Sequence, residues 1–181
     1  MIKEKLTPDY LVGKIEDINI SFFHERQIKG LIIDLDNTIT FYNSREIAPE
    51  VKAWINKVIE TGIKVVILSN NYAPRIEETI KDYPIKYVER AKKPFKRGFI
   101  RAINKLNVPE KNVMMIGDQI FTDTLGAKRT GIQIILVNPL PGKEYWFTYV
   151  SRFFERRFKA KLIKDVPWLR WAWIKKIVLF L

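Results

Sequence analysis

Two carboxylates stand one residue apart at the end of an apolar run. Asp34 and Asp36 follow Leu31-Ile32-Ile33, and the small polar residues Asn37 and Thr38 come next. Side chains alternate across a strand, so both carboxylates would point the same way at its end. Neighbouring carboxylates repel each other unless a cation or a shared proton relieves them, and a hard divalent ion such as Mg²⁺ meets that need. The alternative is a strand end with solvated acids in a turn.

The elements that would position these acids follow from the hydrophobic pattern, which alternates between strand and helix. We expect strands at 31–35, 64–69, 85–88, 113–116 and 133–137, and helices near 50–61, 74–82, 96–106 and 122–130. This alternation predicts an α/β fold with a doubly wound, mostly parallel, five-stranded sheet. Ligands of such sheets bind beyond the carboxyl ends of the strands. Upstream, Thr7-Pro8 predicts a short helix that ends at Gly13.

Polar residues cluster at the predicted strand ends. Asp34, Asp36, Ser69, Asn70 and Asp118 all fall at or just after such an end. One reaction uses this set: a carboxylate attacks a phosphoryl group, a second carboxylate handles protons, and a cation neutralises charge on the transferring oxygens. A hydroxyl or amide and a lysine would hold the remaining phosphoryl oxygens.

Four motifs in this order resemble those of the haloacid dehalogenase-like (HAD) phosphatases. They are Asp34-x-Asp36-Asn37-Thr38, Ser69, Lys93-Pro94 and Gly117-Asp118-x-x-x-x-Asp123. The stretches around them are similar to the YqeG-like branch of HAD subclass IIIA, which includes the mitochondrial phosphatidylglycerophosphate phosphatases. The resemblance covers roughly residues 5–160. It implies a HAD-like Rossmannoid core.

The resemblance also implies catalytic roles. Asp34 would be the nucleophile that forms an aspartyl-phosphate. Asp36 would be the general acid and then the base, and its backbone carbonyl would ligate Mg²⁺. Lys93 would stabilise the charge of the intermediate; Lys92 stands beside it, and the Lys-Pro pairing favours Lys93.

The remaining motif residues would bind substrate and metal. Ser69, with Asn70, would bind the phosphoryl oxygens. Asp118 would complete the metal site with Asp34. Asp123 matches the last acid of the motif and would either ligate the metal directly or support a ligand. Asn37 and Thr38 would shape the turn.

The spacing of the motifs leaves no room for a cap domain. Only 25 residues separate Thr38 from Lys64, and 20 separate Asn71 from Lys92. The site is therefore predicted to be capless, which favours a large or surface-bound phosphomonoester. A basic cluster near the third motif would attract an anionic substrate. It consists of Arg90, Lys92, Lys93, Lys96, Arg97 and Arg101.

Charge is unevenly distributed along the 181 residues, whose formal net charge is +12. Residues 143–181 carry ten Lys and Arg against three Asp and Glu, and 11 of the 23 aromatic residues. This composition predicts a basic amphipathic helical tail that lies on an anionic membrane surface. The alternatives are packing on the domain, an oligomer interface and, least favoured, nucleic acid. The chain has no cysteine, and no uncharged run reaches the roughly 18–20 residues of a spanning helix.

The predicted organisation has three parts: an N-terminal extension packing on the core at 1–30, a HAD-like catalytic domain at 31–142 and the tail at 143–181. The predicted function is a Mg²⁺-dependent phosphatase for phosphatidylglycerophosphate, an anionic phospholipid phosphate. We expect it in the cytoplasm, peripherally associated with the inner face of the membrane. The alternatives are a phosphatase for a soluble sugar phosphate or a nucleic-acid 3′-phosphate, and a non-catalytic membrane-binding adaptor.

Overall fold

The structure is a computed structural model that describes residues 2–140, with side chains from Glu4 onwards. The predicted tail at 143–181 lies outside the described residues. The described residues contain six strands and six α-helices, together with two short 3-10 helices and one π-helical turn. The strands are β1 (Tyr10–Val12), β2 (Gly30–Ile33), β3 (Lys64–Leu68), β4 (Lys86–Val88), β5 (Val113–Gly117) and β6 (Gln133–Val137). The helices are α1 (Ile2–Lys5), α2 (Ser21–Glu25), α3 (Pro49–Glu60), α4 (Ala73–Ile80), α5 (Lys96–Leu106) and α6 (Leu125–Thr130).

All six strands form one parallel sheet in the order β1-β6-β5-β2-β3-β4. The order runs outward in both directions from the β5–β2 pair. The predicted doubly wound α/β fold is therefore confirmed, and the solved structures described below agree with it. Because the strands are parallel, the loops that follow β5, β2, β3 and β4 meet at one edge, which we call the carboxyl edge.

The strand count and the first element differ from the prediction. Five strands were expected, and the sixth is β1, which lies where Thr7-Pro8 predicts a helix. Tyr10 pairs with Ile135 of β6, and the Asp9 carboxylate accepts the Ile134 N–H at 2.9 Å and pairs with Lys128. The helix prediction is wrong because these long-range bonds outweigh a local start signal.

Helices cover both faces of the sheet, and alternate residues of a strand pack against the helices on opposite faces. In β2, Leu31 and Ile33 face the layer of α2 and α3, whereas Ile32 faces the layer of α5 and α6. Full burial of one such side chain contributes about 1.5–3 kcal/mol. The Trp54 indole N–H of α3 donates to the Ile18 carbonyl at 2.8 Å, which satisfies its one polar atom.

Short connections at the carboxyl edge leave the site open. A loop and α3 fill the chain between β2 and β3, and α4 fills the chain between β3 and β4. Neither connection contains a separate domain. Within residues 2–140, the helices are too short or too polar to cross a membrane.

Candidate active site

The loop after β2 places the first motif. Asp34 continues the strand, since its N–H donates to the Ile116 carbonyl of β5 at 2.9 Å, and its side chain is buried. The chain then turns at Asn37, which has a left-handed φ of 59°. The Asn37 side-chain oxygen accepts the Tyr42 N–H at 3.1 Å, so this residue pins the turn. The Thr38 hydroxyl faces the Asp118 carboxylate at 3.5 Å.

The second and third motifs are fastened together by backbone hydrogen bonds. The Ser69 carbonyl accepts the Ala91 N–H at 3.0 Å, and the Asn71 carbonyl accepts the Arg90 N–H at 2.9 Å. The Asn70 side-chain oxygen accepts the Lys93 N–H at 2.8 Å. Asn70 therefore helps to hold the loop that carries the lysine.

Lys93 is the lysine that reaches the first motif. Its ammonium is 2.5 Å from Asp34 Oδ1 and 2.7 Å from Asp123 Oδ1, and its side chain is buried. Lys92 is exposed and has a left-handed φ of 52°. The structure thus places Lys93, and not Lys92, at the first motif. In the sequence, only the proline after Lys93 favoured that choice.

The fourth motif bends around Gly117 and a π-helical turn at Ile120–Thr124. Asp123 is fully buried, and its Oδ2 accepts the Gln119 N–H at 3.1 Å. A Cβ on Gly117 would lie 2.5 Å from that same oxygen, so only glycine fits. π-Helical turns recur at functional sites, and this turn directs the Asp123 carboxylate towards Lys93.

Three carboxylates meet at this edge. Oxygens of Asp34, Asp118 and Asp123 all lie within 4.8 Å of one another, and all three residues are buried. Burial raises the pKa of Asp34 well above its ordinary value of 3.8, and repulsion by Asp123 and Asp118 adds to the effect, with Lys93 opposing it. Burial alone would lower the pKa of Lys93, but the charges of Asp123 and Asp34 raise it above its ordinary value.

The charge of this cluster is suited to a divalent cation. Ionisation of all three carboxylates beside one ammonium would give the cluster a formal charge of −2, and this repulsion contributes to the raised pKa of Asp34. Buried charges are costly unless they are paired. The donors are hard carboxylate oxygens, which is the ligand chemistry that Mg²⁺ prefers. The cluster therefore fits Mg²⁺ use.

Asp36 lies apart from these three carboxylates and is held by α4. Its Oδ1 is 2.5 Å from Arg75 Nη2, and its Oδ2 accepts a hydrogen bond from the Asn71 amide. Arg75 also donates to the Ser44 carbonyl at 3.2 Å. Sequence reasoning assigned no role to Asn71 or Arg75, and no local pattern marks them, because Asn71 precedes α4 and Arg75 lies within it.

The predicted site residues surround one cavity of about 100 Å³ at the carboxyl edge. It is lined by Asp34, Asp36, Asn37, Tyr42, Ser69, Asn70, Lys93, Gln119 and Thr122. Ser69 is buried, and its hydroxyl oxygen accepts the Asn71 N–H at 3.1 Å. Asp118 and Asp123 stand in the carboxylate cluster next to Asp34. Of these lining residues, the sequence did not point to Tyr42, Gln119 or Thr122.

Comparisons with known proteins agree with this geometry. The family model described as mitochondrial PGP phosphatase matches residues 1–141. Probable phosphatase YqeG of Bacillus subtilis (strain 168) is 35% identical over 162 residues, which cover 90% of this chain and 94% of that protein. Phosphatidylglycerophosphate phosphatase 1, chloroplastic/mitochondrial, of Arabidopsis thaliana is 27% identical over 180 residues. That match covers 93% of this chain but 49% of the Arabidopsis protein, so the chain spans about half of its length.

Two solved structures show the same fold. An uncharacterized protein from Listeria monocytogenes serotype 4b superposes with a TM-score of 0.51 at 22% identity, covering 65% of this chain and 84% of that chain. CbbY from Rhodobacter sphaeroides in complex with phosphate superposes with a TM-score of 0.50 at 12% identity, covering 66% and 91%. At such identities the likeness concerns the fold alone.

The family model spans most of the chain, and the Bacillus relative matches it almost from end to end. The resemblance that the four motifs suggested is thereby confirmed. The chain belongs to the mitochondrial PGP phosphatase family and is a HAD-type phosphatase.

Proposed function

We propose that this phosphatase hydrolyses phosphatidylglycerophosphate to phosphatidylglycerol at a membrane surface, using Mg²⁺ and an aspartyl-phosphate intermediate. The observation that carries the reaction is the position of Lys93 between Asp34 and Asp123, in a buried cluster of three carboxylates beside a small cavity. A nucleophilic carboxylate, a fixed cation and a polar cavity are what phosphoryl transfer requires.

The first half-reaction transfers the phosphoryl group to the enzyme. A carboxylate oxygen of Asp34 forms a bond to phosphorus while the bond from phosphorus to the ester oxygen breaks. The departing alkoxide takes a proton from Asp36, which acts as general acid. Lys93 offsets negative charge on the phosphoryl oxygens, and Ser69, with Asn70, binds them.

The second half-reaction releases phosphate. Asp36 takes a proton from water, the water oxygen bonds to phosphorus, and the bond between phosphorus and Asp34 breaks. Asp34, Asp118, Asp123 and the Asp36 carbonyl would hold the Mg²⁺. When bound, the ion would keep Asp34 ionised and neutralise phosphoryl charge.

The family and the open site support this choice of substrate. Its relatives include a phosphatase named for phosphatidylglycerophosphate. Because the described residues form no lid, a phosphate carried on a membrane surface can approach the cavity from above the carboxyl edge. The basic tail at 143–181 would bind that anionic surface and make the protein peripheral to the inner face of the membrane.

A soluble phosphate ester is the second candidate substrate. Glyceraldehyde 3-phosphate phosphatase of Pyrococcus abyssi is 23% identical over 150 residues, covering 78% of this chain and 56% of that protein. The cavity of about 100 Å³ would accept the phosphoryl group of a small ester equally well. In that case the tail would pack on the domain or form an oligomer interface.

The test is phosphate release with Mg²⁺ from phosphatidylglycerophosphate in anionic vesicles, from soluble sugar phosphates and from 3′-phosphorylated oligonucleotides. Asp34→Asn is the control. A preference for the vesicle substrate of about 10²-fold or more in kcat/KM, about 2.7 kcal/mol, supports the proposal. Preference for a soluble ester would move the function to the second candidate. No release from any substrate would favour a non-catalytic adaptor.

A further inference from the structure

Large apolar side chains are exposed beside the catalytic motifs. Four are prominent in residues 4–140: Phe41 at 40%, Tyr72 at 61%, Phe95 at 65% and Ile100 at 48% exposure. Three of them directly follow a motif loop: Phe41 follows the first, Tyr72 the second and Phe95 the third. Each lies one or two residues along the chain from a residue that lines the cavity (Tyr42, Asn70 or Lys93), so all three stand on loops of the carboxyl edge.

Positive charge accompanies them. The stretch 90–101 contains six Lys and Arg and no Asp or Glu. Lys93 is buried in the site, and the other five are exposed, on the loop and the first turns of α5. Glu89 directly precedes this stretch, and a run of exposed cations that outnumbers its neighbouring acids favours an anionic partner.

One contact joins the aromatic and the basic residues. The Arg90 guanidinium lies 4.4 Å from the centre of the Tyr72 ring. It links the loops of the second and third motifs and covers one face of that ring. An aromatic ring beside a guanidinium suits a lipid headgroup layer, in which the ring lies in the interface and the guanidinium contacts lipid phosphates.

We propose that this aromatic–basic rim, formed by Phe41, Tyr72, Phe95, Arg90, Arg97 and Arg101, is the surface that docks on anionic lipid. The proposal rests on the proposed function and deepens it, because it assigns the contact to the catalytic domain itself. Aromatic rings enter the headgroup region and arginines attract its phosphates, so docking points the open cavity at the lipid headgroups.

The course of the chain agrees with this orientation. The Leu140 N–H donates to the Asn37 carbonyl at 2.9 Å, so the described chain ends beside the first motif. The last described residue therefore lies at the same edge as the rim.

The test compares two double variants of the full chain with a matched control. Phe41→Ser with Phe95→Ser removes aromatic surface, and Arg97→Gln with Arg101→Gln removes charge. Lys57→Gln with Lys111→Gln removes two exposed lysines at the opposite end of the strands. Sedimentation with anionic and with neutral vesicles gives the partition coefficient, and hydrolysis of p-nitrophenyl phosphate reports the intact site.

We expect the charge variant to lower partition into anionic vesicles about 30-fold, because each basic residue near such a surface contributes about a factor of five. The aromatic variant should lower it about 10-fold. The control should stay within about two-fold of wild type in vesicle partition, and the control and the aromatic variant should keep the rate on p-nitrophenyl phosphate within the same range. The charge variant should unfold at the wild-type temperature, which reports its intact fold. Sedimentation of both rim variants like wild type, or absence of wild-type binding to anionic vesicles, overturns the proposal.

Two further outcomes separate this proposal from the proposed function. Loss of vesicle binding in the rim variants without hydrolysis of phosphatidylglycerophosphate by wild type supports the rim and refutes the substrate. If both rim variants bind vesicles and hydrolyse that lipid like wild type, the docking surface is refuted and the proposed substrate stands. Binding to a single-stranded oligonucleotide tighter than to anionic vesicles, and lost in the rim variants, would assign the rim to nucleic acid instead.

Discussion

Charged side chains are buried at one end of the parallel sheet and exposed at the other. At the carboxyl edge, the cavity of about 100 Å³ contains a buried ammonium, and buried carboxylates stand in and beside it. At the amino end of β3 and β4, a larger groove of about 410 Å³ is bordered by Lys64, Lys86 and Lys105. Those lysines are exposed, and Lys64 and Lys86 donate to the carbonyl oxygens of Asn107 and Lys105, respectively.

The difference shows that the volume of a cavity does not indicate which end of the sheet carries the chemistry. Burying a charge is costly, so a cluster with excess negative charge persists only where the surrounding structure enforces it or a cation completes it. The lysines of the groove remain in contact with water, so their charges carry no such cost. The following predictions test that contrast.

The largest effect is expected from Asp34→Asn. Loss of the nucleophile should lower turnover about 10⁴-fold or more, whereas Asp82→Asn, which changes an exposed acid, should leave it within about two-fold. Phosphate release and thermal unfolding measure the two properties. A cooperatively folded Asp34→Asn protein that still turns over would refute the nucleophile assignment.

Lys93→Met should be nearly as damaging to turnover and more damaging to stability. Removing the ammonium leaves carboxylates buried without their partner, which costs about 3–5 kcal/mol, and it should lower kcat about 10³-fold. Lys92→Met is the matched control, since Lys92 is its exposed neighbour. Urea unfolding and steady-state kinetics check both. Equal losses in the two variants would contradict the position of Lys93 between Asp34 and Asp123.

Arg75→Met should lower kcat about 10²-fold, because the Asp36 carboxylate loses a partner that orients it for proton transfer. If water attack is the affected step, aryl and alkyl phosphate esters should lose the same factor, and phosphoenzyme should accumulate in rapid-quench experiments. Arg45→Met is the control, since Arg45 is exposed and pairs with Glu78. An unchanged kcat with a raised KM would show that Arg75 binds substrate instead.

The raised pKa of Asp34 predicts how the metal-free protein responds to pH. Between 3.8 and the higher pKa in the folded state, the folded protein holds a proton that the unfolded chain has released. Stability should therefore fall as pH rises through that window, by about 1.4 kcal/mol per pH unit for this group. Urea midpoints with a chelator measure the slope. Mg²⁺ or Asp34→Asn should reduce it, and an unaltered slope in Asp34→Asn would exclude Asp34 as its source.

The smallest effect is expected at the amino end. Lys64→Gln with Lys86→Gln should change turnover less than about two-fold and stability by about 0.5 kcal/mol or less per residue, as is usual for exposed positions. Kinetics on the same substrates check this. A loss of ten-fold or more would mean that the groove takes part in function and would break the contrast between the two ends.

Much of the carboxyl edge could be predicted from the sequence because strand ends carry local signals. Asp34, Ser69 and Asp118 each follow an apolar run, and parallel strands bring such residues to one edge. The grouping of Asp34 with Asp118 and Asp123 agrees with the order of the motifs. The metal ligands and catalytic roles themselves stay predictions until the variants are measured.

The rest depends on contacts between distant elements. Asn71 and Arg75 reach Asp36 only because α4 begins beside the first loop, and no local pattern encodes that orientation. The π-helical turn before α6 looks like ordinary helix in sequence, since its side chains keep a helical spacing. β1 has only three residues, which is too short for a recognisable strand pattern. Its partner β6 is adjacent in the sheet but more than 120 residues away in the sequence.

The pairing of β1 with β6 has a consequence for synthesis of the chain. Tyr10 leaves the ribosome 125 residues before its partner Ile135. At about 5–20 residues per second, the three apolar residues of β1 wait on the order of 6–25 s for a partner strand. During that time the nascent chain carries an unpaired apolar segment, which is the kind of segment that holdase chaperones bind.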